Sequence, residues 1–429
     1  MMQCLVSKSV AFAVSLHRTH FCTVAPLPDA AVAPLSAEGS GYLASDQIQA
    51  VADTWERLAP ADNLYLSVPF LQSMEDFPPA GMRFRYLVFF RHGQPAGIAL
   101  AQIVPIRTTE HLQWLNDGHW LRKQISGLFN FTMLICGTVQ GTGKHGFHFR
   151  DDFAQNGQLL VEALEKEATR LNAGAIMIKD TCRETATDFS RIRQSGYTAF
   201  PFQPNMVLSR APHWRQLSDY LEDLSAKYRV RYRRARKKLG GLTRKELSYP
   251  DIRTYNDTLH TLYQDQAAKA DFNLISLHPG YWQALKAALG NRFRVWAYFS
   301  GGEMVGFYTG IYHGESMEAH FLGYDETVNR EHQLYLNMLF DLTEEAINAG
   351  AERLVFARTA LEIKSSVGAK PEMLNCYVRH KNPVVNLLLP NLVRYLEPEA
   401  EWTPRHPFTE SDASTSLSTG PDLAGGYVG

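Results

Sequence analysis

Hydrophobic positions along this chain recur with two periods, and the switches between them outline its elements. Ile48, Val51, Trp55 and Leu58 follow Ser45 at helical spacing, predicting a first helix capped by that serine, and Val68–Glu75 predicts a second. Arg85–Arg91 and Pro95–Ile106 read as strands of a hairpin across His92-Gly93-Gln94, followed by a β-rich run at Leu128–Gly137. A helix from about Asp152 to Asn172 and a strand at Ala175–Lys179 close the first half. The second half opens with a long helical region, Trp214–Leu239, stopped by Gly240-Gly241. A strand at Arg244–Tyr249 and helices at Ile252–Ala268 and Pro279–Leu289 lead to strands at Phe293–Phe299, Met304–Tyr312 and Glu318–Gly323. A helix through Leu336, Leu339, Leu342 and Ala346, a strand at Arg353–Ala357 and a last helix from Pro383 to about Tyr395 complete the pattern. Antiparallel strands that give way to a helix and a returning strand predict an α/β fold with a mixed, mostly antiparallel sheet flanked by helices.

The pattern occurs twice. Arg83–Gly97 (RFRYLVFFRHGQPAG) and Arg292–Gly306 (RFRVWAYFSGGEMVG) align without gaps, sharing the Arg/Phe/Arg start, Phe90 with Phe299, Gly93 with Gly302 and Gly97 with Gly306. Later in each half an amphipathic helix ends in the same tetrapeptide, Asn172–Ala175 and Asn348–Ala351. Two copies of one α/β unit are therefore expected, at 45–210 and 211–397, in a chain of 429 residues that is long for a single core.

Composition narrows the picture. With 45% hydrophobic residues and a net charge of −1, the chain reads as globular, and bulk attraction to nucleic acid or membrane is not expected. Five scattered cysteines without CxxC or Cys/His spacing point to a reducing, cytoplasmic setting and to no metal. Residues 1–44 hold a short apolar run, Val10–Leu16, but no convincing cleavage site, so they read as a disordered leader or as a start called too far upstream. No stretch has the eighteen or so apolar residues that a membrane span needs, and the Pro-, Ser- and Gly-rich end, 398–429, reads as a disordered tail.

One charge run stands out. Lys or Arg fills eight of the twelve positions from 227 to 238, with no carboxylate between them. At helical period Tyr228, Tyr232, Ala235 and Leu239 share an apolar face, leaving Arg229, Arg233, Arg236 and Lys237 exposed on a docked basic helix, 227–239. It is either a solvated face or a cradle for the phosphates of a nucleotide-bearing cofactor or RNA, with Lys227, Arg229 and Arg233 as contacts. A second anion candidate is the loop Gln140–Gly146 (QGTGKHG), whose Gln140, Gly141, Gly143 and Lys144 could hold phosphates if its backbone donors are free; otherwise it is a surface loop. His145 and His148 sit three apart without an evident third metal ligand.

The order hairpin, strand, helix, strand resembles the core of the GNAT acyltransferase superfamily, and two such units with the segment Leu224-Ser225-x-Lys227-x-Arg229, followed by Arg233, resemble its FemAB-like branch. A second pattern of that branch, aromatic-Gly-Arg-Ser/Thr followed by Lys and Gly-x-x-Pro, is matched by Phe356, Arg358, Thr359, Lys364, Gly368 and Pro371, with Ala357 in place of the usual Gly. The family's pyrophosphate loop is matched in part by Gln140 and Gly143; the second half has NREHQLYL there, without glycine. The resemblance implies a transferase that moves an acyl group from acyl-CoA, or an aminoacyl group from aminoacyl-tRNA, onto a small-molecule or peptide amine, such as a cell-envelope precursor. Direct attack of an amine on the carbonyl needs a base and an oxyanion donor. Glu318 and His320, on one face of a strand, are the candidates for proton transfer, with Tyr324, Arg358 and Lys364 past strand ends as substrate contacts. The competing class is a catalytically silent tandem protein that binds RNA or another anion through the basic helix.

Overall fold

Turn chemistry fixes the two hairpins, and the alternation of side chains along them fixes the layers. The computed structural model describes residues 32–106, 131–150, 153–182, 192, 195–201, 203–269, 275–396 and 402–409. In the first half the elements run β1 (Ala33–Pro34), β2 (Ser40–Ser45), α1 (Ala52–Leu58), α2 (Val68–Asp76), β3 (Arg83–Arg91), β4 (Gln94–Ile106), β5 (Phe131–Cys136), β6 (Phe147–Phe149), α3 (Phe153–Arg170), β7 (Ala175–Cys182), β8 (Thr198–Pro201) and β9 (Asn205–Ser209). The second half continues with α4 (Leu217–Asp223), α5 (Ala226–Lys238), β10 (Thr243–Glu246), α6 (Tyr249–Thr254), α7 (Asn256–Ala267), α8 (Tyr281–Leu289), β11 (Phe293–Ser300), β12 (Glu303–His313) and β13 (Ser316–Tyr324). Then follow α9 (Glu326–His332), α10 (Leu334–Asn348), β14 (Arg353–Val355), α11 (Leu361–Ser365), β15 (Lys370–Glu372), β16 (Leu374–His380) and α12 (Pro383–Leu396).

The duplication is visible down to single residues. Both hairpins, β3/β4 and β11/β12, shift register at aligned positions, between Phe89 and Phe90 and between Tyr298 and Phe299. Both turn through two residues of positive φ, His92-Gly93 and Gly301-Gly302, the backbone that a tight hairpin requires. The turn is thus one residue shorter than expected, and Gln94 begins β4. The shared tetrapeptide is less faithful. Equivalent helix-ending bonds run from Ala173 N–H to Ala168 C=O and from Ala351 N–H to Ala346 C=O, which aligns left-handed Asn172 with left-handed Gly350, two positions out of the sequence match.

Two sheets result, ordered β1-β2-β3-β4-β5-β7-β16-β8, with β6 against β4, and β10-β11-β12-β13-β14-β9-β15. Each has one parallel pair, β5 with β7 and β13 with β14. The halves exchange strands: β9 pairs with β14 in the second sheet, and β16 inserts between β7 and β8 in the first. A boundary at 210 therefore divides the sequence but not the fold.

Alternation sends Leu87 and Phe89 outward onto Leu160 and Leu164 of α3, while Tyr86 and Val88 face a central core. That core also holds Trp55 of α1, Leu71 of α2, Trp282 of α8 and Val295 and Ala297 of β11, so residues of both halves share it. On the far face of the second sheet Trp296 and Tyr298 pack with Leu339 and Phe340 of α10. Parts of both ends expected to be disordered are built into the fold. Tyr42 of β2 is buried and donates a 3.0 Å hydrogen bond to Glu167, and residues 402–409 dock through a bridge between Leu224 and Phe408. Residues 1–31 of the leader and 410–429 of the tail lie outside the described residues. Ser45 ends β2 rather than capping a helix, which begins after the 3-10 turn at Ile48–Ala50. Among the described residues no helix is long and apolar enough to cross a membrane.

Candidate functional site

The parallel pair of each sheet stops short, and polar residues collect where it stops. Pairing of β13 with β14 ends at Glu318 and Val355, although β13 continues to Tyr324. Pairing of β5 with β7 ends at Cys136 and Ile178, and the chain leaves as the loop 137–146.

Glu318 is the hub of the first cluster. Its Oε2 accepts a 2.6 Å hydrogen bond from Tyr65 Oη, and its Oε1 lies 2.7 Å from His313 Nε2 and 3.4 Å from His145 Nε2. Burial alone would raise its pKa, but the hydrogen bonds and charges of His145 and His313 outweigh that and hold it far below the carboxylate range. Burial works against charge on His313 as well, yet Glu318 and the Asp62 carbonyl raise its pKa. Burial dominates at His320, on the same face, where the charge of Glu318 raises the pKa too little to compensate. Buried against Tyr281, whose hydroxyl lies 2.6 Å from Nε2, it is pushed down to about 3, and among the described residues its Nδ1 has no hydrogen-bond partner. Neither member of the expected proton-transfer pair is a base poised near neutrality: one is a neutralised carboxylate, the other a weakly basic imidazole.

Asp180, at the end of β7, is the hub of the second. Its carboxylate pairs with Lys179 and Arg358 and accepts the Gly143 N–H at 3.1 Å, and its side chain is fully buried. Burial raises its pKa, but the two cations more than reverse this and lower it. Arg358 also donates to the Gln203 carbonyl at 3.0 Å, so its fork is engaged across the two halves. Lys364, buried in α11, donates to the Ala357 and Arg358 carbonyls at 3.3 and 2.5 Å. Burial brings it down to about 7. The loop these carbonyls belong to is strained: Ala357, Thr359 and Ala360 all have positive φ, as does Asp180. That explains why glycine suits position 357. Two cations thus face one carboxylate, and Lys364 lies beyond them on the carbonyls of the Arg358 loop.

The loop 140–146 joins the clusters. The His145 ring lies tilted against Tyr65, centroids 4.2 Å apart, and Gly141 is flush with the tyrosine ring, where a Cβ would come within 2.7 Å. The loop is not the phosphate cradle its glycines suggested. Gln140 is buried, accepting from Gln102 at 2.8 Å and Thr138 at 2.6 Å; the Gly143 N–H is taken by Asp180; and β6 rather than a helix follows. Lys144 is exposed. Among the described residues no three His, Cys, Asp or Glu side chains are arranged to hold a metal.

On the basic helix, α5, the apolar face docks as expected through Tyr228 and Ala235. Arg236 is not exposed: its guanidinium pairs with Asp341 of α10 at 2.6 Å. Arg229 folds back onto the Glu222 and Leu224 carbonyls, and Arg233 points to solvent. Lys227 instead lines a cavity of about 320 Å³ with Arg231, Arg234, Gln333 and Arg405. A larger cavity, about 430 Å³, opens near the C-terminal end of α10, but the one cation lining it, Arg294, is paired with Glu246 and Glu345. Tyr324 is half-buried, near Tyr335 and Lys269.

Sequence reasoning missed Asp180, Tyr65 and His313. Asp180 carries a readable signal, a carboxylate at the carboxyl end of an apolar strand. Tyr65 carries none, since its partner is 253 residues away.

Residues 226–365 match the acetyltransferase (GNAT) domain model. The fold of FemX is similar over 80% of this chain and 98% of that one, with a TM-score of 0.50 at 12% identity. A tandem GNAT protein from the clavulanic acid biosynthesis pathway (10% identity, 80% and 99% covered, TM-score 0.47) and L-PGS from Bacillus licheniformis (13%, 82% and 97%, 0.45) are also similar. Among curated protein sequences no significant match is found.

Proposed function

Given a tandem fold of the GNAT superfamily, FemAB-like in kind, whose second half matches the GNAT domain, we propose that this protein is an N-acyltransferase that moves an acyl or aminoacyl group from a phosphate-bearing carrier, coenzyme A or tRNA, onto an amine. The observation that carries this reading is Lys364. It is a buried amine brought down to about 7 by burial and held, among the described residues, by two carbonyls of a strained loop. Such a group can donate to the oxyanion that forms when an amine attacks a thioester or ester carbonyl, in a site where water does not screen it. Asp180 and Arg358 position the loop that presents it. The incoming amine must therefore lose its proton to water or to Lys364 in its neutral form.

The test is acyl transfer from acetyl-CoA and from aminoacyl-tRNA to a panel of amines. Lys364→Met is expected to lower kcat by about a hundredfold, the scale of losing one oxyanion donor, with unchanged circular dichroism. Arg358→Lys is expected to lose most of the activity despite keeping its charge, because a lysine cannot reproduce the forked contact. Full turnover by a folded Lys364→Met variant would exclude this role, whereas no transfer by the wild type from either donor would favour a silent anion-binding protein.

A further inference from the structure

Helix α11 carries Lys364 on very little structure of its own. It is five residues long, the loop before it holds Ala357, Thr359 and Ala360 at positive φ, and the chain after it turns through Gly368, also at positive φ. A helix shorter than about a dozen residues is marginal in water, so α11 takes its place from what packs on it. Much of that packing comes from the far end of the sequence. The Arg405 N–H bonds Ser365 Oγ at 3.0 Å, and the Arg405 guanidinium pairs with Glu362, one turn earlier on the same face. Phe408 lies so close against Gly368 that a Cβ there would fall 2.4 Å from its ring.

The segment 402–409 is itself tied down. Ser225 donates to the Pro407 carbonyl at 2.8 Å, Thr409 donates to the Asp223 carbonyl at 3.0 Å, and Leu224 bridges Phe408. The Phe408 ring lies 5.5 Å from that of Trp214 and 5.9 Å from that of Tyr220, whose hydroxyl donates to the Val367 carbonyl at 3.1 Å. Side chains 38% and 50% exposed, as Arg405 and Glu362 are, gain little from pairing with each other, so the ring of Phe408 and the backbone bonds are the stronger fasteners. We propose that residues 402–409 form a strap that positions Lys364, with Phe408 as the positioning residue: seated over Gly368, it braces α11 and so keeps the amine on the Ala357 and Arg358 carbonyls. Its consequence for turnover rests on the reading of Lys364 as oxyanion donor, but the placing of Lys364 can be measured without turnover.

The experiment uses the full chain and Phe408→Ala, because Arg405 also lines the cavity beside α5 and its loss would mix two effects. The first readout is the rate at which N-hydroxysuccinimidyl acetate modifies Lys364, followed by mass spectrometry with the exposed Lys238 as internal reference. Phe408→Ala should raise that rate about tenfold, the scale of local opening when part of one ring's burial is lost. Phe408→Leu, which keeps most of the apolar contact, should return it to within about threefold of wild type, and Thr403→Ala, exposed on the same segment, should change nothing. Ser365→Ala removes the acceptor of the Arg405 N–H; it should raise the rate about fivefold, the scale of one hydrogen bond, and carries the test if Phe408→Ala does not fold. The second readout is a double-mutant cycle in kcat. Phe408→Ala should lower kcat about tenfold at unchanged KM for the amine, and should lower it no further in the Lys364→Met background. Unchanged Lys364 labelling in the variant that carries the test, or a kcat loss that persists in full without Lys364, would overturn the strap. Were Lys364→Met fully active, or no transfer found, the reading of function would fall and labelling alone would decide: faster modification keeps the strap, and an unchanged rate removes it.

Discussion

Replacing Asp180 by Asn tests the second cluster at its hub. The carboxylate is fully buried and faces Lys179 and Arg358, whose side chains are both 11% exposed. An amide of the same shape keeps an acceptor for the Gly143 N–H but leaves two nearly buried cations without a counter-charge. Breaking a buried pair by removing one partner costs about 3–5 kcal/mol. Because Asn can still accept from both cations, the expected loss is at the lower end, about 3 kcal/mol, a folding equilibrium weakened roughly a hundredfold. Urea unfolding of wild type and variant reads this directly as a shift in midpoint at unchanged slope. The variant Asp180→Asn/Arg358→Gln, which also removes one orphaned cation, should be less destabilised than the sum of its parts. The pH dependence supplies a second check. Asp180 has a depressed folded pKa, so its contribution is present above the unfolded value of 3.8 and is lost as pH falls through the folded value. Asp180→Asn should lack that acid limb. A cost below about 1 kcal/mol, the scale of an ordinary substitution, or strict additivity with Arg358→Gln, would refute the reading of Asp180 as the counter-charge of this cluster.

Two further outcomes are expected. Gly97→Ala should destabilise the protein by about 1–3 kcal/mol, as overpacking does, because its Cβ would fall 2.2 Å from the Phe149 ring, whereas Gly306→Ala meets the side-chain ends of Leu334 and Met338 at 2.8 and 3.0 Å and the Tyr324 Cβ at 3.3 Å and should cost less in a thermal melt. For the Glu318–His313 pair, the depressed Glu318 contributes stability above its unfolded 4.5 and loses it as pH falls through its folded pKa; the raised His313 contributes below its unfolded 6.5 and loses it as pH rises through its folded pKa. The pair should therefore stabilise most between pH 4.5 and 6.5, and Glu318→Gln should flatten both limbs in urea unfolding.

The hairpins were legible because their causes are local: a Gly at the turn, period-two alternation, and a repeat that preserved both. The exchange of β9 and β16 was not, since Asn205–Ser209 and Leu374–His380 are short apolar runs that fit the interior of either sheet. The basic helix was read correctly on its apolar face and wrongly at Arg236, because helical spacing does not reveal the Asp341 that rises from α10 to meet it. The site divided in the same way. Arg358 and Lys364 were singled out by their place beyond a strand, but the carboxylate that pairs with Arg358 lies 178 residues earlier in the chain. Glycines at 141 and 143 suggested a ligand and in fact accommodate Tyr65 and a backbone donor to Asp180. A turn that must pass close to protein carries the same residue as one that must pass close to phosphate.

The exchanged strands also bear on how such a duplicated chain can evolve. A gene cut at the boundary of its repeats would not yield two modules: the first fragment would carry β9, a strand the other sheet needs beside β14, and the second would carry β16, leaving β7 and β8 of the first sheet without the strand between them. Each repeat is thus the other's missing piece, so neither copy can be lost, shuffled or recombined alone once the strands have crossed. Each polar cluster is likewise shared, Glu318 meeting Tyr65 and His145 of the first half and Arg358 meeting Asp180, so the halves that cannot part also complete each other's polar sites.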